Sequence, residues 1–474
     1  MKARTKLTDL LSCENISQWD FDVLEVAKLT RETLSRNYTT GISGGQFCPL
    51  LLVGWAILCA PQAQEAMEGS LGNNPERDAT RPPRREGAYH FAADLKISPE
   101  RVCNFLREVE QGYKFENPYH NNVHAADVTQ TLHCLIQMMD VEDAERIYNR
   151  VDFFSVLLSA TFHDVGHPGT NNLFHKNART ALAVRYNDAS ILENMHSAVG
   201  HSLLMGENWK KEWDVFEQWN DGLVTRARSL MMASVLNTDM SFHFSSLGEL
   251  ASIIEKVNED YMEMEGSARN VGGKPPPLLS ILSEILGARK PPDGEDQLWK
   301  KCRELADLVL TKFLLHAADI SNPTKKHALC VYWADNALEE FFQQGDREIE
   351  LKIPISPLCD RKSVKRADSQ IGFLKFVIRP TYALLGSILP GVEGEVMHNI
   401  DANISFWLRE KARLSMCTMK GSVMSTTIRK ISNFGKITSD LDDEDYTEEE
   451  EGGDDPDGDG RREDGEDEEG GDDA

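Results

Sequence analysis

Thr161-Phe162-His163-Asp164-Val165-Gly166-His167 is the stretch from which both the fold and the chemistry of this chain can be read. It closes an apolar run, Val151 to Phe162, whose length and Leu/Ala/Phe content predict a buried helix. A helix this apolar that ends in an imidazole beside a carboxylate must satisfy both groups. Together they can ligate one metal ion, and the carboxylate's second oxygen can reach another. Taken by itself, a His-Asp dipeptide is better explained as a satisfied core histidine capping a helix end.

The dipeptide has company. Tyr119-His120-Asn121-Asn122-Val123-His124-Ala125-Ala126-Asp127-Val128 lies upstream, with two histidines four positions apart. Leu315-His316-Ala317-Ala318-Asp319-Ile320-Ser321-Asn322-Pro323 lies downstream and puts another acid at the end of an apolar helical run. Two histidines and two aspartates from three separated segments make a mixed N/O donor set that suits zinc and similar ions. A spare carboxylate edge can recruit a water-rich second ion such as magnesium.

YHNNVHAADV, HDVGHPGTNN, NDASILENMH, LNTDM, HAADISNPTK, FFQQGDRE and SQIGF follow one another in this order. In that order they resemble the catalytic domain of class I 3′,5′-cyclic-nucleotide phosphodiesterases, and the resemblance runs from about Trp19 to about Lys411. It implies a compact, multi-helix, all-α catalytic domain. The residues point the same way: helix-like apolar spacing recurs through the chain and no run of alternating strands stands out.

At 474 residues and 41% hydrophobic content the chain is long enough for a sizeable core. Its nine cysteines are odd in number and scattered, which predicts a reduced, cytoplasmic protein rather than a disulfide scaffold. The N-terminus turns polar too early for a secretory signal. Phe47 to Cys59 is the most apolar stretch, but 13 residues are too few to span a bilayer. It reads as a buried core helix, with a membrane-associated hairpin as the second reading, and no transmembrane segment is expected.

Net charge is −26, unevenly spread. Ser439 to Ala474 carries 21 acidic residues and two arginines, or −19, which leaves −7 for the first 438 residues. The folded part shows no sign of a nucleic-acid-binding surface. The tail is expected to be disordered, and its charge suits basic partners or loosely held cations. Asp455, Asp457, Asp459, Gly460 and Glu466 match the spacing of an EF-hand loop. Its neighbours are acidic and glycine-rich rather than amphipathic helices, so a folded calcium site is not expected.

The expected organisation is an N-terminal extension over 1–16, a catalytic domain over 17–415, a linker over 416–438 and the acidic tail over 439–474. Two interruptions, about 62–87 and 266–296, are assigned to surface loops; the second holds a short apolar helix from Leu278 to Leu286 between proline clusters. Ser98 is placed to cap a helix that starts at Pro99.

The resemblance also implies roles, residue by residue. His124, His163, Asp164 and Asp319 match the first-metal ligands, a site described as zinc. Asp164 would bridge to a second ion, magnesium or manganese. His120 matches the general acid, a task that suits an imidazole. Glu193 would accept a hydrogen bond from the nucleophilic water. His167, Asn187, His196 and Asp239 would orient the ligands around them. Gln370 and Phe373 map to the purine pocket, where an amide can pair with a base edge and a ring can stack on it. Asn322 lies on the adenine side, and Met240 and Ile320 help line the pocket.

Two positions depart from the family pattern. Gly166 stands where many relatives carry an acid, and Ala337 where a larger aliphatic residue clamps the base against Phe373. The expected function is metal-dependent hydrolysis of 3′,5′-cyclic nucleotides to 5′-monophosphates, with cAMP favoured and cGMP accepted. The alternatives are another HD-type nucleotide phosphohydrolase, or an inactive cyclic-nucleotide-binding or scaffold protein. Oligomeric state and regulation leave no signal in the sequence.

Overall fold

The computed structural model describes residues 2–34, 48–60, 90–205, 213–268, 276–287 and 296–416. Among these the secondary structure is helical throughout, without a β-strand. The helices that position the candidate site are α1 (Pro49–Leu58), α2 (Pro99–Gly112), α3 (Asn122–Gln137), α4 (Arg150–Phe162), α5 (Ile191–Met205), α6 (Asp221–Leu236), α7 (Gln297–Leu308), α8 (Leu314–Asp319), α9 (His327–Glu350) and α10 (Arg366–Phe373). Residues 1–412 form one compact unit and 413–474 a second, of which only 413–416 are described.

α4 is buried at every position from Val151 to Phe162, as its apolar sequence requires. Its start is set by a reciprocal cap. The Asn149 side chain accepts the Asp152 N–H at 3.0 Å, and the Asp152 carboxylate accepts the Asn149 N–H at 3.0 Å. Arg226 of α6 then closes on both Asp152 oxygens, tying α6 to the buried acid. α4 packs against α3 and α6, and α3 packs in turn on α1 and α8.

Gly200 of α5 lets α5 reach the end of α4. A Cβ at that position would fall 2.2 Å from a ring carbon of Phe162. α1 is indeed a core helix, with Pro49 in its first turn and Leu50, Val53, Ile57 and Leu58 buried. Its first-turn N–H groups at Leu50 and Leu51, which have no partner within the helix, donate to the buried carboxylate of Glu110 on α2, which also accepts from Asn122 of α3. Burial pushes the Glu110 carboxyl up to about 7 against these donors. Ser98 caps α2 as expected, accepting the Arg101 N–H at 3.4 Å.

The short helix expected in the second interruption is present, but it lies in the core and not on a surface loop. Leu278–Gly287 is a helix with Leu278, Leu279, Ile281 and Leu282 buried in the main core, packed against Val141–Ile147 and α7. Four apolar residues at helical spacing supply a face that prefers burial, which overrides the polar flanks. The first interruption, and the acidic tail with its EF-hand-like spacing, lie outside the described residues. No described helix is long and apolar enough to cross a membrane.

Candidate metal centre

Helix ends carry the site. The Asn121 side chain caps α3 by accepting the Val123 and His124 N–H groups, so His124 stands in the first turn and His120 in the loop before it. His163 follows the last residue of α4, and Asp164 follows His163. Asp319 ends α8, which a π-helical turn over Val309–Phe313 joins to α7. Such a turn changes the phase of the residues that follow it.

These ends bring four ligand atoms within 4.8 Å of one another. His124 Nε2 lies 3.0 Å from Asp319 Oδ1 and 3.5 Å from Asp164 Oδ2. His163 Nε2 lies 3.3 Å from each of the same two oxygens. A tetrahedral zinc with bonds of about 2.0–2.1 Å spaces its ligands by about 3.3 Å. The His163 ring is oriented for that use. Its Nδ1 donates to the Ala160 carbonyl at 2.8 Å, and its buried Nε2 has no hydrogen-bond partner. Burial opposes charge on His163, but Asp164 and Asp319 together hold its pKa well above the ordinary imidazole value. The imidazoles conversely hold Asp164 and Asp319 far below the carboxylate range, against the same burial. A cation placed here would replace protons among groups already arranged as ligands.

Asp164 has a second edge. Its Oδ1 faces His196 Nε2 at 3.5 Å, while His196 Nδ1 donates to the Val165 carbonyl. His167 stacks between His196 and His120, with ring centroids 5.6 Å and 3.9 Å away. Glu193 accepts two contacts from Asn172 Nδ2, at 2.9 and 3.1 Å, and burial, with Asp239 near it, pushes its carboxyl up to about 7. Asp239 accepts from Ser190 Oγ at 2.7 Å. Asn187 adopts a left-handed backbone, φ 54°, in the turn before α5, a conformation asparagine tolerates. Gly166 has φ 77°, and its N–H donates to the Gly112 carbonyl. Glycine adopts that left-handed conformation without the strain a side chain would bear.

His120 is held from behind. Glu340 on α9 accepts the Tyr119 and His120 backbone N–H groups at 2.9 and 3.0 Å and bonds His120 Nδ1. Burial lowers the His120 pKa, but Glu340 raises it further, to about 9; the Glu340 carboxyl is correspondingly held down at about 2. The result is an imidazolium whose Nδ1 is occupied and whose Nε2 is left to serve the site.

Among the residues expected on the nucleotide side, Asn322 is buried and pinned. Its Oδ1 accepts from the Tyr119 hydroxyl and its Nδ2 donates to Asp127 at 2.7 Å. Gln370 is also buried, yet among the described residues no protein hydrogen bond holds its amide. Phe373 packs on the core edge, Ile320 is a core residue, and Met240 is nearly half exposed on a turn. The turn bearing Asn322 packs against the π turn that follows Phe373. Glu340, Tyr119, Asp127 and Asn172 escaped the sequence reading. Tyr119, Asp127 and Asn172 sat inside motifs already quoted, and Glu340 directly precedes FFQQGDRE.

A family profile described as 3′5′-cyclic nucleotide phosphodiesterase matches residues 119–400. The chain belongs to this family. Human dual specificity calcium/calmodulin-dependent 3′,5′-cyclic nucleotide phosphodiesterase 1B is 32% identical over 301 residues, 63% of this chain and 46% of that protein. The mouse 1C relative of the same description is 34% identical over 298 residues, 63% of this chain and 35% of that protein. The matches therefore span less than half the length of these relatives. The phosphodiesterase domain of Salpingoeca rosetta rhodopsin phosphodiesterase shares the fold, with TM-score 0.60 and 24% identity over 87% of this chain and 97% of that one. Phosphodiesterases of this family use divalent metals, and the cluster of His124, His163, Asp164 and Asp319 can bind one.

Proposed function

We propose that the chain hydrolyses 3′,5′-cyclic nucleotides to 5′-nucleoside monophosphates, ending cyclic-nucleotide signals. The observation that carries this reading is a charged His120–Glu340 pair beside four convergent metal ligands, with the His120 and His124 rings 5.7 Å apart. Zinc at the first position, with magnesium or manganese beyond Asp164, would polarise the phosphate and make water nucleophilic near neutrality. His120 Nε2 then donates a proton to the departing 3′-oxygen, and Glu340 keeps the imidazolium charged and aimed. Glu193, with its raised pKa, accepts a hydrogen bond from the attacking water.

Substrate choice falls to the two amides. Asn322 has spent its oxygen on Tyr119 and one N–H on Asp127, so its remaining hydrogen is a fixed donor. A donor pairs with the ring acceptor of adenine and conflicts with the ring N–H of guanine. The unpinned Gln370 can rotate to suit either purine. Together they favour cAMP and admit cGMP, in keeping with relatives named for dual specificity.

A cytoplasmic setting is part of the proposal; none of the eight described cysteines forms a disulfide. So is an acidic tail that attracts basic partners or cations, and a catalytic domain bounded near 17 and 415. The deciding experiment assays purified protein on cAMP and cGMP with and without chelator. Chelator-sensitive release of 5′-AMP, faster than 5′-GMP, is the expected result. Nucleotide binding without turnover in replete metal would favour the inactive-scaffold alternative.

A further inference from the structure

An asparagine can offer a base a donor or an acceptor, depending on which way its amide is turned. The two groups that hold Asn322 differ in what they allow. The Tyr119 hydroxyl donates to Oδ1 at 2.5 Å, but a hydroxyl can equally accept from Nδ2. Asp127 accepts from Nδ2 at 2.7 Å, and an ionised carboxylate can only accept. A flipped amide would set oxygen against oxygen there. Of the two partners, Asp127 therefore decides the orientation, provided that it stays ionised. Its own hydrogen bonding does little to ensure that. The carboxylate is fully buried, its Oδ1 has no hydrogen-bond partner among the described residues, and burial pushes its pKa up. The largest influence in the opposite direction is the charge of Lys325.

Lys325 is itself 0% exposed. Its Nζ donates to the Trp19 carbonyl at 2.7 Å and to Gln130 Oε1 at 3.4 Å, and it lies 4.5 Å from the centre of the Trp19 ring. None of these groups is an anion. The field of the ammonium reaches Asp127 and Glu395 instead, and of these two only Asp127 is buried, where screening by solvent is least. We propose that Lys325 and Asp127 are positioning residues for nucleotide choice: the buried ammonium compensates the Asp127 carboxylate, and that carboxylate fixes the Asn322 amide with an N–H toward the base. This rests on the contact between Asn322 and the base proposed above, and it places the origin of the preference behind the pocket wall.

The test measures kcat/KM for cAMP and cGMP in the metal-replete enzyme and its variants. Asp127→Asn keeps the shape and substitutes an amide that can face Asn322 either way. The cAMP-to-cGMP ratio should fall about tenfold or more, with cGMP efficiency rising as cAMP efficiency falls, because one mispaired buried group carries about that much discrimination. Lys325→Met keeps an apolar stem without the charge and should move the ratio the same way. Tyr119→Phe removes a partner that suits both orientations, so it should lower both efficiencies and leave their ratio nearly unchanged. An unmoved ratio in Asp127→Asn or Lys325→Met, where Asn322→Ala narrows it, would overturn the proposal. So would an equal fall in Tyr119→Phe, which would assign the change to a damaged pocket. An unmoved ratio in Asn322→Ala would refute the base contact itself, and the proposal with it. Neutron diffraction from deuterated wild-type crystals needs no variant to fold. Two deuterons should sit on the Asn322 atom that faces Asp127, and two on the atom that faces Tyr119 would overturn the assignment.

Discussion

Asp164 presents one carboxylate oxygen to His124 and His163 and the other to His196, so its two edges serve different neighbours. Asp164→Asn preserves volume and removes the charge, and it should abolish hydrolysis while circular dichroism still reports a folded helical protein. Wild-type turnover in added magnesium would refute its bridging role. Glu340 makes a sharper prediction. A folded-state imidazole pKa raised from 6.5 to about 9 means the acid stays protonated until the pH climbs through that higher value. Bound cations lower the limb, but the contribution of Glu340 remains. In Glu340→Gln the alkaline limb of the kcat–pH profile should therefore move to lower pH, with kcat reduced at neutrality. An unmoved limb would show that Glu340 does not tune the acid. The ligands were legible because they stand in dense polar motifs at the ends of apolar runs. Glu340 was not, because a glutamate in an amphipathic helix 220 positions from His120 has no local mark of its partner.

Helices position the ligands only because their faces fit. α5 and α4 meet where Gly200 leaves room for the Phe162 ring, one residue from His163. Gly200→Ala places a methyl 2.2 Å from that ring, and overpacking of this kind costs about 1–3 kcal/mol. Urea unfolding should show the loss, and metal content should fall with it because the end of α4 must shift. A variant as stable as wild type and fully metal-loaded would refute the tight approach. Sequence periodicity revealed α4, α1 and the start of α2, since each has an apolar run and a capping or proline signal. It also located the helix at Leu278, yet its proline-flanked setting hid that this helix belongs to the core. The π turns over Val309–Phe313 and Leu374–Ile378 leave no such signal, because they change helical phase without a change of composition.

At the scale of the molecule, charge and metal act on different parts. Truncation after Lys436 removes the −19 tract, which has almost no apolar surface to bury. Turnover should be unchanged and stability should shift by no more than about 0.5 kcal/mol; a larger loss would mean that the tail docks. The metal centre should do the opposite, because its ligands at 124, 163–164 and 319 close long loops of chain. A ligand present at about a thousand times its dissociation constant stabilises the folded state by about 4 kcal/mol. Chelation should therefore lower the unfolding midpoint, zinc should restore it, and Asp319→Asn should respond to neither. The pH dependence has a definite sign. Without metal, His124 and His163 have raised pKa values, so their ion pairs with Asp164 and Asp319 stabilise most below 6.5 and fade as the pH rises through the folded values. Zinc binding displaces those protons and strengthens over the same range. The chelator-induced drop should thus be larger at pH 8 than at pH 6, and a drop that shrinks with rising pH would show that zinc does not compete with these protons.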